Sequence, residues 1–168
     1  DTSGCIVVAK SQEALVNLQL QIKNKIASRN YLAIVHGVPL ESNGTIIGNI
    51  GRHPSNRKKY TVVTNESGRY ACTHWRFIEN YRNYSLMNFK LDTGRTHQIR
   101  VHCAHINHPI VGDPLYGRCR KLPCTLKGQA LHAYKLGLIH PIKGSEMTFE
   151  AKMPPELEKL ISVIKKKT

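Results

Sequence analysis

No apolar run in the 168-residue chain approaches the roughly 18 residues that a membrane-crossing helix needs, and nothing in it resembles a signal peptide. A helical membrane span is excluded, and no membrane partner is expected. Cysteine is too sparse for a disulfide framework: Cys5, Cys72, Cys103, Cys119 and Cys124 are odd in number and scattered, which favours a reducing, intracellular compartment. They are expected to pack as small apolar side chains. With Asp1 first, a targeting segment upstream stays open, and the compartment stays between the cytoplasm and an organelle such as a mitochondrion or chloroplast. Acid is scarcer still. Only 11 Asp+Glu stand against 25 Lys+Arg, a formal charge of +14, which favours a polyanionic partner bound in a salt-dependent way. A soluble basic protein without such a partner is the plainer alternative. Internal repeats and low-complexity linkers are absent, and the length suits one domain over residues 1–168.

What is present concentrates in one stretch. Gly94-Arg95-Thr96-His97-Gln98-Ile99-Arg100-Val101-His102 crowds groups that grip phosphates and bases onto a glycine turn and the helix it opens. Thr96 is placed to cap that helix, whose inner face is Ile99, Cys103 and Ile106. His97 and Arg100 then share a flank. Arg95, Thr96, His97 and Gln98 are candidate RNA contacts, as is the basic loop Arg57-Lys58-Lys59. Arg100, one turn inside, is better suited to a buried carboxylate than to solvent, because a buried arginine must be compensated. The competing reading is a surface helix with incidental positive charge.

Elsewhere the pattern predicts mostly strands. Cys5 to Ala9 reads as a buried strand leaving the Thr2-Ser3-Gly4 turn. A helix capped by Ser11 follows, with Leu15, Leu18, Ile22 and Ile26 on one face. Strands are expected at residues 31–36, 44–47, 60–64, 70–79, 84–91, 133–140 and 147–151, with an Asn80-Tyr81-Arg82-Asn83 hairpin turn. Residues 107–128 read as loop. A last helix after Pro154-Pro155 buries Leu157, Leu160, Ile161 and Ile164, with Glu156 and Glu158 in its first turn and Lys165-Lys166-Lys167 in its last.

Other chemistries fit the spacing poorly. Histidines 97, 102, 105 and 108 do not share one face, and no cysteine pair has zinc-ribbon spacing, so no metal is expected. No cysteine can be tied to a histidine and an orienting group as a nucleophile. Tyr60, Tyr70, Trp75 and Tyr84 suit stacking on bases, but core packing is the stronger reading.

Thr2-Ser3-Gly4 with the apolar run to Lys10, Tyr31-Leu32-Ala33-Ile34-Val35-His36-Gly37, Gly94 to His102, Gly112-Asp113-Pro114-Leu115-Tyr116-Gly117, and Leu131-His132-Ala133 with His140-Pro141 occur in order across nearly the whole chain. This series resembles the RluA family of pseudouridine synthases. The resemblance implies an α+β fold, a mixed, mainly antiparallel sheet with flanking helices and a central RNA-binding cleft. It implies a cofactor-free isomerase that converts uridine to pseudouridine in ribosomal or transfer RNA, after extruding the base from its stack. Tyr31 matches the family tyrosine that packs on uracil and can serve as base. Arg100 matches the arginine that holds the catalytic aspartate in an ion pair, and Leu131 an apolar residue of the pocket.

The family's nucleophilic aspartate closes a His-Arg-Leu-Asp motif lying ahead of Thr-Ser-Gly, and this chain begins at Asp1, beyond it. Asp113 is expected to cap its turn through an Asx-type bond, and Asp92 to sit at a strand end. The expectation is therefore the larger, N-terminally incomplete part of a monomeric synthase, which as it stands binds RNA without turnover. Two alternatives are a non-catalytic RNA-binding or ribosome-assembly protein that kept the fold, and a basic structural protein of a ribonucleoprotein. A retained Arg100, which would be orphaned without its carboxylate, argues against the first of these.

Overall fold

Runs rich in β-branched and aromatic residues form one eight-stranded sheet, and among the described residues three helices carry further apolar faces. The computed structural model describes residues 1–64, 67–117, 122 and 124–166. Cys119 and Lys167 lie outside the described residues. In chain order the elements are β1 (Ser3–Gly4), α1 (Gln12–Lys23), β2 (Ser28–His36), β3 (Asn43–Arg52), β4 (Tyr60–Val63), β5 (Arg69–Tyr81), β6 (Tyr84–Leu91), α2 (Gln98–His105), β7 (Leu131–Ile139), β8 (Glu146–Glu150) and α3 (Pro155–Lys165). The strand order is β1-β7-β2-β6-β5-β3-β4, with β8 also on β7. Among the described residues every strand pairing is antiparallel except β1 with β7. The expected α+β architecture with a mixed, mainly antiparallel sheet is what the chain forms.

The main core gathers Ala33, Ile34, Val35, Met87 and Phe89 of the central strands under Ile99 and Cys103 of α2 and Leu157, Leu160 and Ile164 of α3. A second cluster seats Leu18 of α1 on Leu136 and Leu138 of β7. Helix α3 thus docks through the positions its spacing predicts, with Ile161 only partly buried, whereas α2 docks through Ile99 and Cys103 while the predicted Ile106 is its half-buried C-cap; Pro155 has no N–H to orphan in the first turn of α3.

Several expectations are corrected. Only Ser3 and Gly4 pair as a strand; the last ladder bond is Cys5 N–H to the Ala133 carbonyl, and Ile6 and Val8 stand 85% and 73% exposed. The apolar run has strand composition, but no other described strand lies beside it, and composition without a partner makes no ladder. Ser11 does cap α1, accepting from Ala14 N–H, yet the buried face is Ala14, Leu18 and Gln21. Leu15 and Ile26 are exposed. Gln21 displaces them because its amide both donates to the Ile139 carbonyl and accepts from the Ile139 N–H, at 2.7 and 2.8 Å, tying α1 to the end of β7. The third strand runs on from the predicted Gly44 to Ile47 through Arg52. The β5–β6 hairpin turns on Arg82 and Asn83 alone, with Arg82 at φ 59°.

Candidate active site

Two sequence motifs far apart in the chain meet beside the site, which their first residues Thr2 and Leu131 line. Ser3 Oγ lies 2.9 Å from His132 Nδ1, whose Nε2 is 3.0 Å from the Ala151 carbonyl. Gly4 sits at φ +106° with the place of a Cβ only 2.1 Å from the Ala133 carbonyl oxygen, so only glycine permits this approach. The Thr-Ser-Gly and Leu-His-Ala motifs are two halves of one parallel strand joint, β1 on β7.

The Gly94–Gln98 turn is fixed from behind. Gln98 is buried, and its Oε1 accepts from Arg95 N–H at 2.9 Å and from the Thr93 hydroxyl at 2.8 Å. Its Nε2 donates to the Cys72 carbonyl and the Thr73 hydroxyl of β5. Gln98 thereby shapes the turn, its amide already committed on both sides. His97, not Thr96, is the N-cap of α2: it takes a left-handed conformation, φ 57°, and makes no side-chain cap bond. Its side chain lies 2.9 Å from the Tyr116 hydroxyl, which also accepts the Tyr60 N–H at 2.8 Å. Burial and the nearby Arg100 guanidinium push the His97 pKa down, so a neutral imidazole accepts from Tyr116. Thr96 is exposed.

Arg100 finds the buried carboxylate that its position predicts, and the partner is Asp113. Nε and one Nη donate to the two carboxylate oxygens at 2.7 and 2.8 Å, a bidentate pair with side chains only 10% and 0% exposed. Asp113 Oδ1 also accepts from the Leu115 and Tyr116 N–H groups, the expected turn cap. Burial raises the Asp113 pKa, but Arg100 and these two amides outweigh it and hold the carboxyl below its usual range. The guanidinium is further stacked on the Tyr116 ring, 5.0 Å from its centroid. With Asp113 present, a buried Arg100 is not orphaned, so its retention does not argue for a second carboxylate.

These elements enclose a cavity of about 450 Å³ lined by Tyr31, Arg95, His97, Arg100, Gln129 and Leu131, among others. Tyr31 comes from β2, Leu131 from the start of β7, and Arg100 from α2, so the three positions matched by resemblance converge. Asp1 and Thr2 line the same cavity. Burial raises the Tyr31 pKa against the lowering field of Arg29, leaving a protonated phenol at neutral pH. Gln129, which the sequence reading missed, donates to Thr2 Oγ1 at 3.2 Å and keeps a buried Oε1 without a partner. Asp92 does sit just past the end of β6.

The basic loop is separate. Arg57 and Lys58 lie in the exposed β3–β4 connection, and Lys59 lines a neighbouring hollow of about 330 Å³ with His53, Tyr60 and His105. The histidines of the central segment diverge: His102 faces Thr73 and His108 the His36 carbonyl. Among the described residues the one convergence of metal-ligand types is Cys72, His74 and Asp92, where Asp92 already pairs with Lys25 at 2.6 Å. The described cysteines are free, with Cys72 and Cys103 buried. Of the aromatics considered for stacking, Trp75, Tyr60 and Tyr84 pack partly against the core clusters, while Tyr70 is 52% exposed.

The sequence profile of the family described as RNA pseudouridylate synthase matches residues 1–105. An uncharacterized RNA pseudouridine synthase of Synechocystis sp. is 49% identical over 99% of this chain and 51% of its own length. A ribosomal large subunit pseudouridine synthase D of Nitrosomonas europaea is 43% identical over 98% of this chain and 49% of its own. The chain spans about half the length of such curated relatives. Among solved structures, human RNA pseudouridylate synthase domain containing 1 superposes with a TM-score of 0.73 at 26% identity, covering 91% of this chain and 66% of that one. A sheet with this order, a cavity joining Tyr31, Arg100 and Leu131, and these matches have one reading: the chain belongs to the RNA pseudouridylate synthase family, as its RluA-like motifs imply.

Proposed function

We propose that this chain is the larger part of the catalytic domain of an RNA pseudouridine synthase, and that its cavity receives a uridine extruded from RNA. The observation that carries this reading is the meeting of Tyr31, Leu131 and Arg100 around one cavity that the cationic Arg95 and the imidazole of His97 also line. A flipped base needs an apolar wall and a planar partner, and Leu131 and Tyr31 supply them. The phenol, kept protonated by burial, donates a hydrogen bond or a proton; as a base it would first have to lose one. Asp113 fixes the Arg100 guanidinium at the cavity wall. The nucleophilic carboxylate would come from the family's His-Arg-Leu-Asp segment ahead of Thr2, and Asp1 and Thr2 already line the cavity that such a segment would enter. The resemblance supports a reaction without a cofactor.

Relatives named for the large ribosomal subunit make ribosomal RNA the first substrate to try, with transfer RNA second. The test is pseudouridine formation by the complete protein on unmodified large-subunit RNA, mapped by position. Tyr31→Phe should keep RNA affinity within about threefold while lowering turnover by about 100-fold, the range of a positioned proton-transfer group. A complete protein that carries the upstream aspartate and yields no pseudouridine in ribosomal or transfer RNA would refute the proposal.

A further inference from the structure

Beside the uridine cavity lies a second one, of about 400 Å³, walled by Arg52 of β3, Tyr60 of β4, Arg69 at the start of β5, and the Gly94–Thr96 turn. Three guanidinium groups from three separate elements line it, and no described residue among its lining carries a carboxylate. Like-charged side chains at one cavity are unfavourable unless something anionic joins them. None of the ion pairs among the described residues involves Arg52, Arg69 or Arg95; the acids there go to Lys25, His74, Arg100, Lys135 and Lys165.

Two of the three are held in place by neutral groups. Arg52 lies over the Tyr60 ring, 4.9 Å from its centroid, and donates from one Nη to the Arg57 carbonyl at 2.8 Å. Arg95 donates from Nε to the Tyr70 carbonyl at 2.9 Å. Guanidinium groups anchored in this way keep donors for an incoming anion and lose less side-chain entropy on binding it. Arg95 lines both cavities, and the partition between them is completed by the edge-to-face contact of Tyr60 with His97, ring centroids 5.8 Å apart.

We infer that the Arg52–Arg69–Arg95 cavity is a phosphate subsite that holds the RNA backbone of a nucleotide adjoining the extruded uridine. This rests on the uridine reading of the neighbouring cavity. A phosphodiester suits the site because planar guanidinium forks match its oxygens in pairs. Holding the strand on one side of the target also opposes the recoil of the flipped nucleotide into its stack. Sequence alone marks Arg52 only as the start of the basic loop that runs to Lys59, and does not mark Arg69; the sheet brings both to Arg95 because β3 lies beside β5.

The test is equilibrium binding of the complete protein to a short single-stranded RNA with one uridine, read across a salt series. Arg69→Ala should weaken binding about fivefold and lower the slope of log affinity against log salt by about 0.7, the value for one single-strand phosphate, and Arg52→Ala/Arg69→Ala by about twice that. Arg69→Lys should restore most of the slope. Both arginines are exposed, so the variants should fold, and unchanged thermal melts verify it. Lys143→Ala, in the β7–β8 turn across the sheet, is the control for general charge loss. Replacing the phosphate next to the uridine by a neutral methylphosphonate should abolish the difference between wild type and Arg69→Ala; a remote methylphosphonate should not. A slope for Arg69→Ala equal to that of Lys143→Ala overturns the subsite. Inorganic phosphate binding as tightly as the oligonucleotide would overturn its assignment to RNA. If the protein makes pseudouridine and Arg69→Ala binds like wild type, the subsite alone fails. If the salt slopes behave as stated but no pseudouridine forms, the failure belongs to the proposed reaction.

Discussion

Replacing Asp113 by asparagine separates its two duties. The carboxylate receives two donors from Arg100, at 2.7 and 2.8 Å, and two turn amides on Oδ1, from Leu115 and Tyr116. Asparagine keeps an oxygen for the amides and turns an NH₂ toward the guanidinium. Arg100 is then a buried cation facing a donor, and removal of one partner from a buried pair costs about 3–5 kcal/mol. Side chains 10% and 0% exposed leave little solvent to screen that loss. Asp113→Ala gives up the amide bonds as well, at about 1 kcal/mol each. For a domain of this size 1 kcal/mol moves the melting midpoint by about 2–4 °C, so Asp113→Asn should melt about 10 °C below wild type.

The pH dependence follows from the sign of the shift. Asp113 has its folded pKa below the unfolded value of about 3.9, so its contribution is complete above that pH and is lost as pH falls through the folded pKa. Urea unfolding of wild type and Asp113→Asn should therefore differ fully at neutral pH and converge in strong acid. Arg100→Leu/Asp113→Leu should be less destabilised than the sum of its single variants, because no unpaired charge remains. An Asp113→Asn protein within about 1 kcal/mol of wild type at pH 7 would refute the argument that this pair fixes Arg100.

His102 is fully buried, its pKa pushed down to about 4 chiefly by burial, with the His105 charge adding to it. Because the unfolded imidazole, with a pKa of about 6.5, binds a proton that the folded one refuses, stability should fall by about 3 kcal/mol between pH 6.5 and 4; a His102→Asn variant, followed by urea unfolding at several pH values, should lose that slope. Gly4→Ala should destabilise by at least about 2 kcal/mol, since φ +106° and a carbonyl 2.1 Å from the new methyl both oppose it; a melt unchanged from wild type would contradict the strand joint. Gln98→Glu, by contrast, places a carboxylate where an amide donates to the Cys72 carbonyl and the Thr73 hydroxyl, and should cost about 2 kcal/mol while also raising the KM for RNA through the loosened turn; a KM unchanged in a destabilised variant would separate Gln98 from the turn.

Composition and punctuation made most of the sheet legible, because β2, β5, β6 and β7 are runs rich in apolar, β-branched and aromatic residues that end at glycine, turn or helix signals. The helix α3 was equally plain, its Leu157, Leu160 and Ile164 repeating at helical spacing after two prolines. Failures came where a neighbour decided the outcome. Cys5 to Ala9 has the composition of a buried strand, but burial depends on a partner that composition cannot supply. On α1 a glutamine took the buried face from Leu15 because it could satisfy both backbone groups of Ile139, an arrangement invisible until α1 and β7 are adjacent. Thr96 looks like a better cap than His97, yet the turn is already closed by Gln98, and the left-handed residue falls at His97. Tyr31, Arg100 and Leu131 are named by resemblance, and the structure shows their convergence; Arg52 is legible only as the start of a basic loop, and Gln129 and Arg69 carry no signal along the chain, since only the sheet brings them to the cavities.

The same distinction bears on how the motifs should be read. Within Gly94 to His102, the polar residues divide by the side of the turn they serve. Gln98 and His102 bond to Thr73 behind it, and Arg100 bonds to Asp113 beneath it. Arg95 and His97 remain on the rim, and Arg95 is the one residue of the segment that borders both cavities with its side chain anchored by a neutral carbonyl. A motif rich in hydrogen-bonding groups thus serves two sides of one turn, the packing behind it and the cavities in front. Substitutions behind the turn should act first on stability and those on the rim first on affinity. The set behind the turn sits on the eight-residue helix α2, and the rim set, Arg95 and His97, on the turn that leads into it.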